Sequence, residues 1–109
     1  MVAEAEQFEP ILDGVTYNSF INAIKSPATR TGYINSLTRY MNHLKITKPD
    51  DLLLNQQNPR IIESQIIDYI MSLRNDNLAY ATIKFLITPI FTYYQLNDVI
   101  LNRKRSQGI

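Results

Sequence analysis

The sequence predicts an all-α protein, a compact bundle of about four to five helices in a single domain. Three observations predict it. Apolar residues recur at helical spacings in successive stretches. No alternation of polar and apolar residues runs long enough for a strand. Ser-Pro and Asn-Pro pairs, which cap and open helices, stand where one periodic stretch gives way to the next. With 109 residues, 45% of them apolar and 19% charged, the chain can bury an unaided core.

Residues 1–13 are acidic, contain Pro10 and lack apolar periodicity, so they read as a flexible lead-in to a domain over 14–102. The first helix is expected over 16–25, with Tyr17, Phe20, Ile21 and Ile24 on one face. Ser26 then supplies a capping hydroxyl and Pro27 a preset first position for a second helix reaching Lys45. Its apolar stripe is Tyr33, Ile34, Leu37, Tyr40, Met41 and Leu44. The opposite face carries Thr31, Asn35, Thr38, Arg39 and Asn42. A short turn of helix follows Lys48-Pro49, with Asp50 and Asp51 where a helix dipole favours carboxylates. Asn58-Pro59 opens a third long helix to about Leu73, with Ile62, Ile66, Tyr69, Ile70 and Leu73 inward, and Asn75-Asp76-Asn77 stops it. The last long helix spans about 79–96, with Ile83, Ile87, Ile90 and Tyr94 inward. Pro89 inside it costs a backbone bond, so a kink is expected there. Phe85 falls opposite Ile87. Packing against a neighbouring helix is its expected fate, and an exposed contact role the alternative. A final short turn at 99–101 leads into a basic tail over 103–109.

Much chemistry is excluded. Without cysteine there is no disulfide, no thiolate nucleophile and no cysteine-bound zinc. A lone histidine, His43, cannot build a histidine metal site, and its place near a helix C-terminus suits the dipole. Gly-rich phosphate loops, HExxH, GxSxG and EF-hand loops do not occur, so neither metal nor cofactor is expected. Tyr93-Tyr94 falls where core packing explains it, and Asp50-Asp51 where capping does. No apolar run approaches the length of a membrane span. The chain reads as a binder rather than an enzyme.

Its formal charge of +1 hides a strong segregation. Residues 1–13 hold four carboxylates and no cation. Residues 14–48 hold five cations (Lys25, Arg30, Arg39, Lys45 and Lys48) and no carboxylate. Residues 49–102 hold three cations against six carboxylates, and the tail adds Arg103, Lys104 and Arg105. Such a basic half and tail suit a polyanion partner, although solvated helix faces account for the same charges.

Three helices carry a further pattern. The second reads Ser26-x-x-Thr29-x-x-x-Tyr33-x-x-x-Leu37-x-x-Tyr40-x-x-x-Leu44, and the third Ile66-x-x-Tyr69-Ile70-x-x-Leu73. The fourth reads Leu78-x-x-x-Thr82-Ile83-x-x-x-Ile87-x-x-Ile90-x-x-Tyr93-Tyr94. In this order, over about residues 16–102, they resemble the N-terminal core-binding domain of tyrosine recombinases, the phage-integrase family. The resemblance implies a SAM-like helical bundle that grips one face of double-stranded DNA, mainly through phosphates. A C-terminal catalytic domain beyond this chain would cleave and rejoin strands, and other recombinase copies would share the DNA. It also implies a cytoplasmic setting of prokaryotic, phage or mobile-element origin. The family's H-x-x-R motif is not met at His43, which is followed by Leu44-Lys45-Ile46. Positions matching the family's DNA contacts are Thr29, Arg30, Thr31, Asn35 and Arg39, then Tyr80, Thr82 and Lys84, with Arg103, Lys104 and Arg105 opening the linker. Arg30 lies near the apolar edge, so its guanidinium has to reach sideways. The serine that opens the fourth helix in the family is Ala79 here, leaving Asn77 as the substitute cap. The alternative is a helical protein-interaction or DNA-binding regulatory module without recombinase activity. A helix-turn-helix repressor is less well supported, because no helix pair shows the short glycine turn expected of one.

Overall fold

The computed structural model describes residues 9–102. Within them the chain forms α1 (Val15–Asn22), α2 (Pro27–Leu44), a 3-10 turn (Pro49–Leu53), α3 (Pro59–Asn75) and α4 (Tyr80–Leu96), with no strand. The all-α bundle is as expected. Helix α4 packs against α1, α2 and α3, and α1 also lies on the 3-10 turn. The last of the described helices is therefore the hub of the core.

The buried side chains follow the predicted stripes. Phe20, Leu37, Tyr40, Met41, Ile62, Ile66, Ile90, Tyr93 and Tyr94 are all sealed from solvent. Phe20 stacks on Tyr33 and meets Tyr93 edge-on, with ring centroids 6.0 and 5.4 Å apart. Tyr40 meets Tyr69 edge-on at 5.0 Å. Phe85 departs from expectation. It is 66% exposed, because α4 turns Ile83 and Ile90 inward and leaves the opposite side of its first turns without a neighbouring helix.

Helix starts and ends use different devices. Ser26 Oγ accepts from the Thr29 N–H at 3.4 Å, with Pro27 at the first helical position, as the sequence predicts. Pro59 also opens its helix, but the Asn58 side chain makes no capping bond. Asn77 does not cap α4. It lies in the left-handed region at φ 65°, ending α3, and Ala79 stands at the start of α4 without a side-chain cap. Helices α2, α3 and α4 all close in the same way. Lys45, Asn77 and Asp98 adopt positive φ, and the next N–H reaches back five residues: Ile46 to Met41, Leu78 to Leu73, Val99 to Tyr94. Val99 is buried in this motif, and residues 99–101 form no helical turn.

Three elements meet around Tyr93. Its hydroxyl donates to the Pro49 carbonyl at 2.6 Å and lies 2.7 Å from Thr16 Oγ1. The Asp50 carboxylate accepts from the Thr16 N–H at 3.1 Å and from its hydroxyl. Asp50 therefore caps α1 rather than its own turn. Gly14, at φ 110°, lets the backbone pass over that carboxylate; a Cβ there would sit 2.8 Å from Asp50 Oδ2.

Helix α4 runs unbroken through Pro89, whose ring is buried. The missing N–H leaves the Phe85 carbonyl without its helical partner. The Thr88 hydroxyl donates to the Lys84 carbonyl at 2.8 Å, and that of Thr92 to the Thr88 carbonyl at 3.0 Å. The described part of the acidic lead-in lies against the bundle. The Ile11 N–H donates to the Thr47 carbonyl at 2.8 Å, and Leu12 packs on the core.

Candidate nucleic-acid interface

A helix of 18 residues that buries Leu37, Tyr40 and Met41 must turn Thr31, Asn35 and Arg39 outward, since these sit about half a turn away. All three are exposed. The Thr31 hydroxyl donates to the Pro27 carbonyl at 3.1 Å, which fixes its rotamer and leaves its oxygen able to accept. Among the described residues Asn35 and Arg39 have no hydrogen-bond partner, so their donors face solvent. Arg39 also lies close enough to Tyr69 to act on it. Burial pushes the Tyr69 phenol up to about 12, and the arginine charge pulls the other way.

The two other candidates on α2 are engaged differently. Thr29 is exposed, but its N–H already serves the Ser26 cap. Arg30 is half-buried. It reaches sideways as the sequence predicts and donates from Nε and Nη2 to the Ile24 carbonyl, at 3.2 and 2.6 Å. That carbonyl lies just past the end of α1, so Arg30 closes the α1–α2 joint.

At the other end of the chain Tyr80, Thr82 and Lys84 occupy the first turns of α4 and are all exposed, Tyr80 to 70%. Phe85 adds a second exposed ring beside Lys84. Among the described residues no hydrogen bond or ion pair joins this group to the face of α2. Arg103, Lys104 and Arg105 lie outside the described residues.

The sequence did not reveal the groups around the end of α2. His43 Nε2 lies 3.3 Å from Asp68 Oδ2, and its ring leans on Tyr69 at 5.1 Å. Asp68 is exposed, so the pair adds little stability. It does fix where the first carboxylate stands beside a face that has none of its own. Nor did sequence spacing show that Glu63 is buried, at 7% exposure, and accepts the Asn102 N–H at 2.6 Å. Pairings across 25 and 39 residues depend on how α2, α3 and the chain exit meet, and no local pattern encodes that.

Among the described residues no group of three or more potential ligands gathers to hold a metal ion, and no helix is long and apolar enough to cross a membrane. Compared with known proteins, the chain matches no protein-family model, no curated protein and no solved structure.

Proposed function

We propose that this chain is a duplex-DNA-binding domain, of the core-binding kind found in tyrosine recombinases, and that it grips DNA through phosphates. Its gripping surface is the outer face of α2, with Thr31, Asn35 and Arg39, joined by Tyr80, Thr82 and Lys84 at the opening of α4. Strand cleavage and rejoining would belong to a separate catalytic domain, and this chain would supply position rather than chemistry. One observation carries the reading: α2 presents exposed donors along a face that, like the whole of residues 14–48, holds no carboxylate. Phosphates need such a face, because every nearby carboxylate subtracts from the attraction.

Binding of a short mixed-sequence duplex, followed by ¹⁵N NMR at two salt concentrations, tests this. The expected result is shifts confined to residues 29–42 and 80–84, with log affinity falling against log salt at a slope of about −2 for phosphate contacts from Arg39 and Lys84. Arg39→Ala and Lys84→Ala should weaken binding about equally on all sequences, and Asn35→Ala should change sequence preference. Absence of shifts at low salt would overturn the reading. The exposure of Phe85 and Tyr80 favours a second one, a protein-interaction surface on the opening of α4.

A further inference from the structure

We infer that His43 is a further DNA contact on α2 and meets phosphate in its protonated form, so that the chain takes up a proton as it grips DNA. The inference rests on the DNA-binding reading of that helix and adds to it a contact residue and a dependence on pH.

Thr31, Asn35 and Arg39 recur at every fourth position along the outer face, and His43 is the next step of that row. Each step turns about 40° round the axis, so the row walks from the open face to its rim. His43 stands at the rim, its side chain 24% exposed, where α3 packs beside α2. The charged and titratable groups facing it are Asp68 and Tyr69 from α3, with Arg39 one turn before it and Lys45 two residues after. The residues a turn away from Asp68 are Ser64, Gln65, Met71 and Ser72, none of them charged. The buried Tyr69 ring, its centroid 5.1 Å away, backs the imidazole from the core side. An ionised carboxylate only accepts, so Nε2, 3.3 Å from Asp68 Oδ2, carries its hydrogen and is already engaged. A further proton goes to Nδ1, giving the ring a second donor and a positive charge one turn from Arg39. A phosphate seated beside Arg39 favours that charged form, because a nearby opposite charge holds the proton on a histidine. Binding and proton uptake then strengthen each other.

The test compares the full chain with His43→Gln, which keeps an N–H donor for Asp68 but cannot take up a proton. His43 is the only histidine in the sequence, so no other imidazole contributes. Affinity for a fluorescent mixed-sequence duplex is measured against salt at about pH 7 and about pH 5.5. On acidification the full chain should gain about three- to tenfold more affinity than His43→Gln. Its salt slope should also steepen by about 0.9, the mark of one more phosphate contact, while that of the variant stays put. Asp68→Asn, which removes the carboxylate competing for the ring, should bind more tightly and keep the response to pH. In carbon-edited NMR spectra the midpoint of the His43 ring titration should rise when the duplex is added. An unmoved midpoint, or equal responses of the full chain and His43→Gln to pH, would overturn the inference and leave DNA binding intact. Loss of the response in Asp68→Asn alone would assign the proton to Asp68 and overturn it too. Failure of every protein to bind at either pH would instead overturn the DNA-binding reading, and the role of His43 with it.

Discussion

Arg30 and Arg39 lie on the same helix, nine residues apart, and do different work. Arg30 spends its guanidinium on the Ile24 carbonyl, a charge-assisted bond in a half-buried joint. Arg30→Gln should lower stability by about 1–2 kcal/mol in urea unfolding, with little specific loss of DNA affinity in the folded protein. Arg39→Gln should do the reverse. A second contrast separates two buried tyrosines. The Tyr93 hydroxyl satisfies the Pro49 carbonyl, so Tyr93→Phe should cost about 1–3 kcal/mol by leaving that buried oxygen unpaired. The Tyr69 oxygen is buried without a hydrogen-bond partner, so Tyr69→Phe should be neutral or stabilising by the same assay. Periodicity made both tyrosines legible as core residues. It carries no information about which hydroxyl finds a carbonyl 44 residues away.

Helix starts were legible because proline and serine act locally: Ser26-Pro27 and Pro59 stand where the pattern puts them. Helix ends were less so, because the usual mark is a glycine and this chain has only three. Lys45, Asn77 and Asp98 take the left-handed position instead. A subtler signal did exist, an apolar residue directly after each of them: Ile46, Leu78 and Val99, all packed on or in the core. Lysine tolerates this conformation worst of the three, having no short polar side chain to bond locally. Lys45→Gly should therefore raise stability by about 1 kcal/mol, seen as a melting temperature about 4–8 °C higher. Gly32, inside α2 with open space where a Cβ would go, offers a parallel gain. Gly32→Ala should stabilise by about 1 kcal/mol. It lies at the edge of the face bearing Arg39, so weaker DNA binding by this more stable variant would mark close backbone approach there.

For the whole molecule, four phenols share one electrostatic condition. Burial raises the pKa of Tyr40, Tyr69, Tyr93 and Tyr94, Tyr69 to about 12. In the unfolded chain these groups lose their protons near pH 10. Their raised folded values mean that the stability they contribute is fully present below pH 10 and is lost as pH climbs toward and past 12. Phenolate absorbance at 295 nm from these four should therefore rise together with loss of helical circular dichroism. Separate, earlier ionisation of the four in a still-helical protein would contradict their burial. Fold class was legible in the sequence because it follows from periodicity, which is local. The exposure of Phe85 was not, because it depends on which side of α4 the other helices leave uncovered.

That α4 comes after the three helices it packs against bears on how the chain is made. A ribosome delivers α1, α2 and α3 before their common partner, so their apolar stripes emerge with nothing to close on. The bond between Thr16 and Tyr93 spans 77 residues and can form only once residue 93 has been made. Nascent chains stalled before Tyr80 should be protease-sensitive and chaperone-bound. Folding should then arrive in one step, as residues 80–96 clear the exit tunnel.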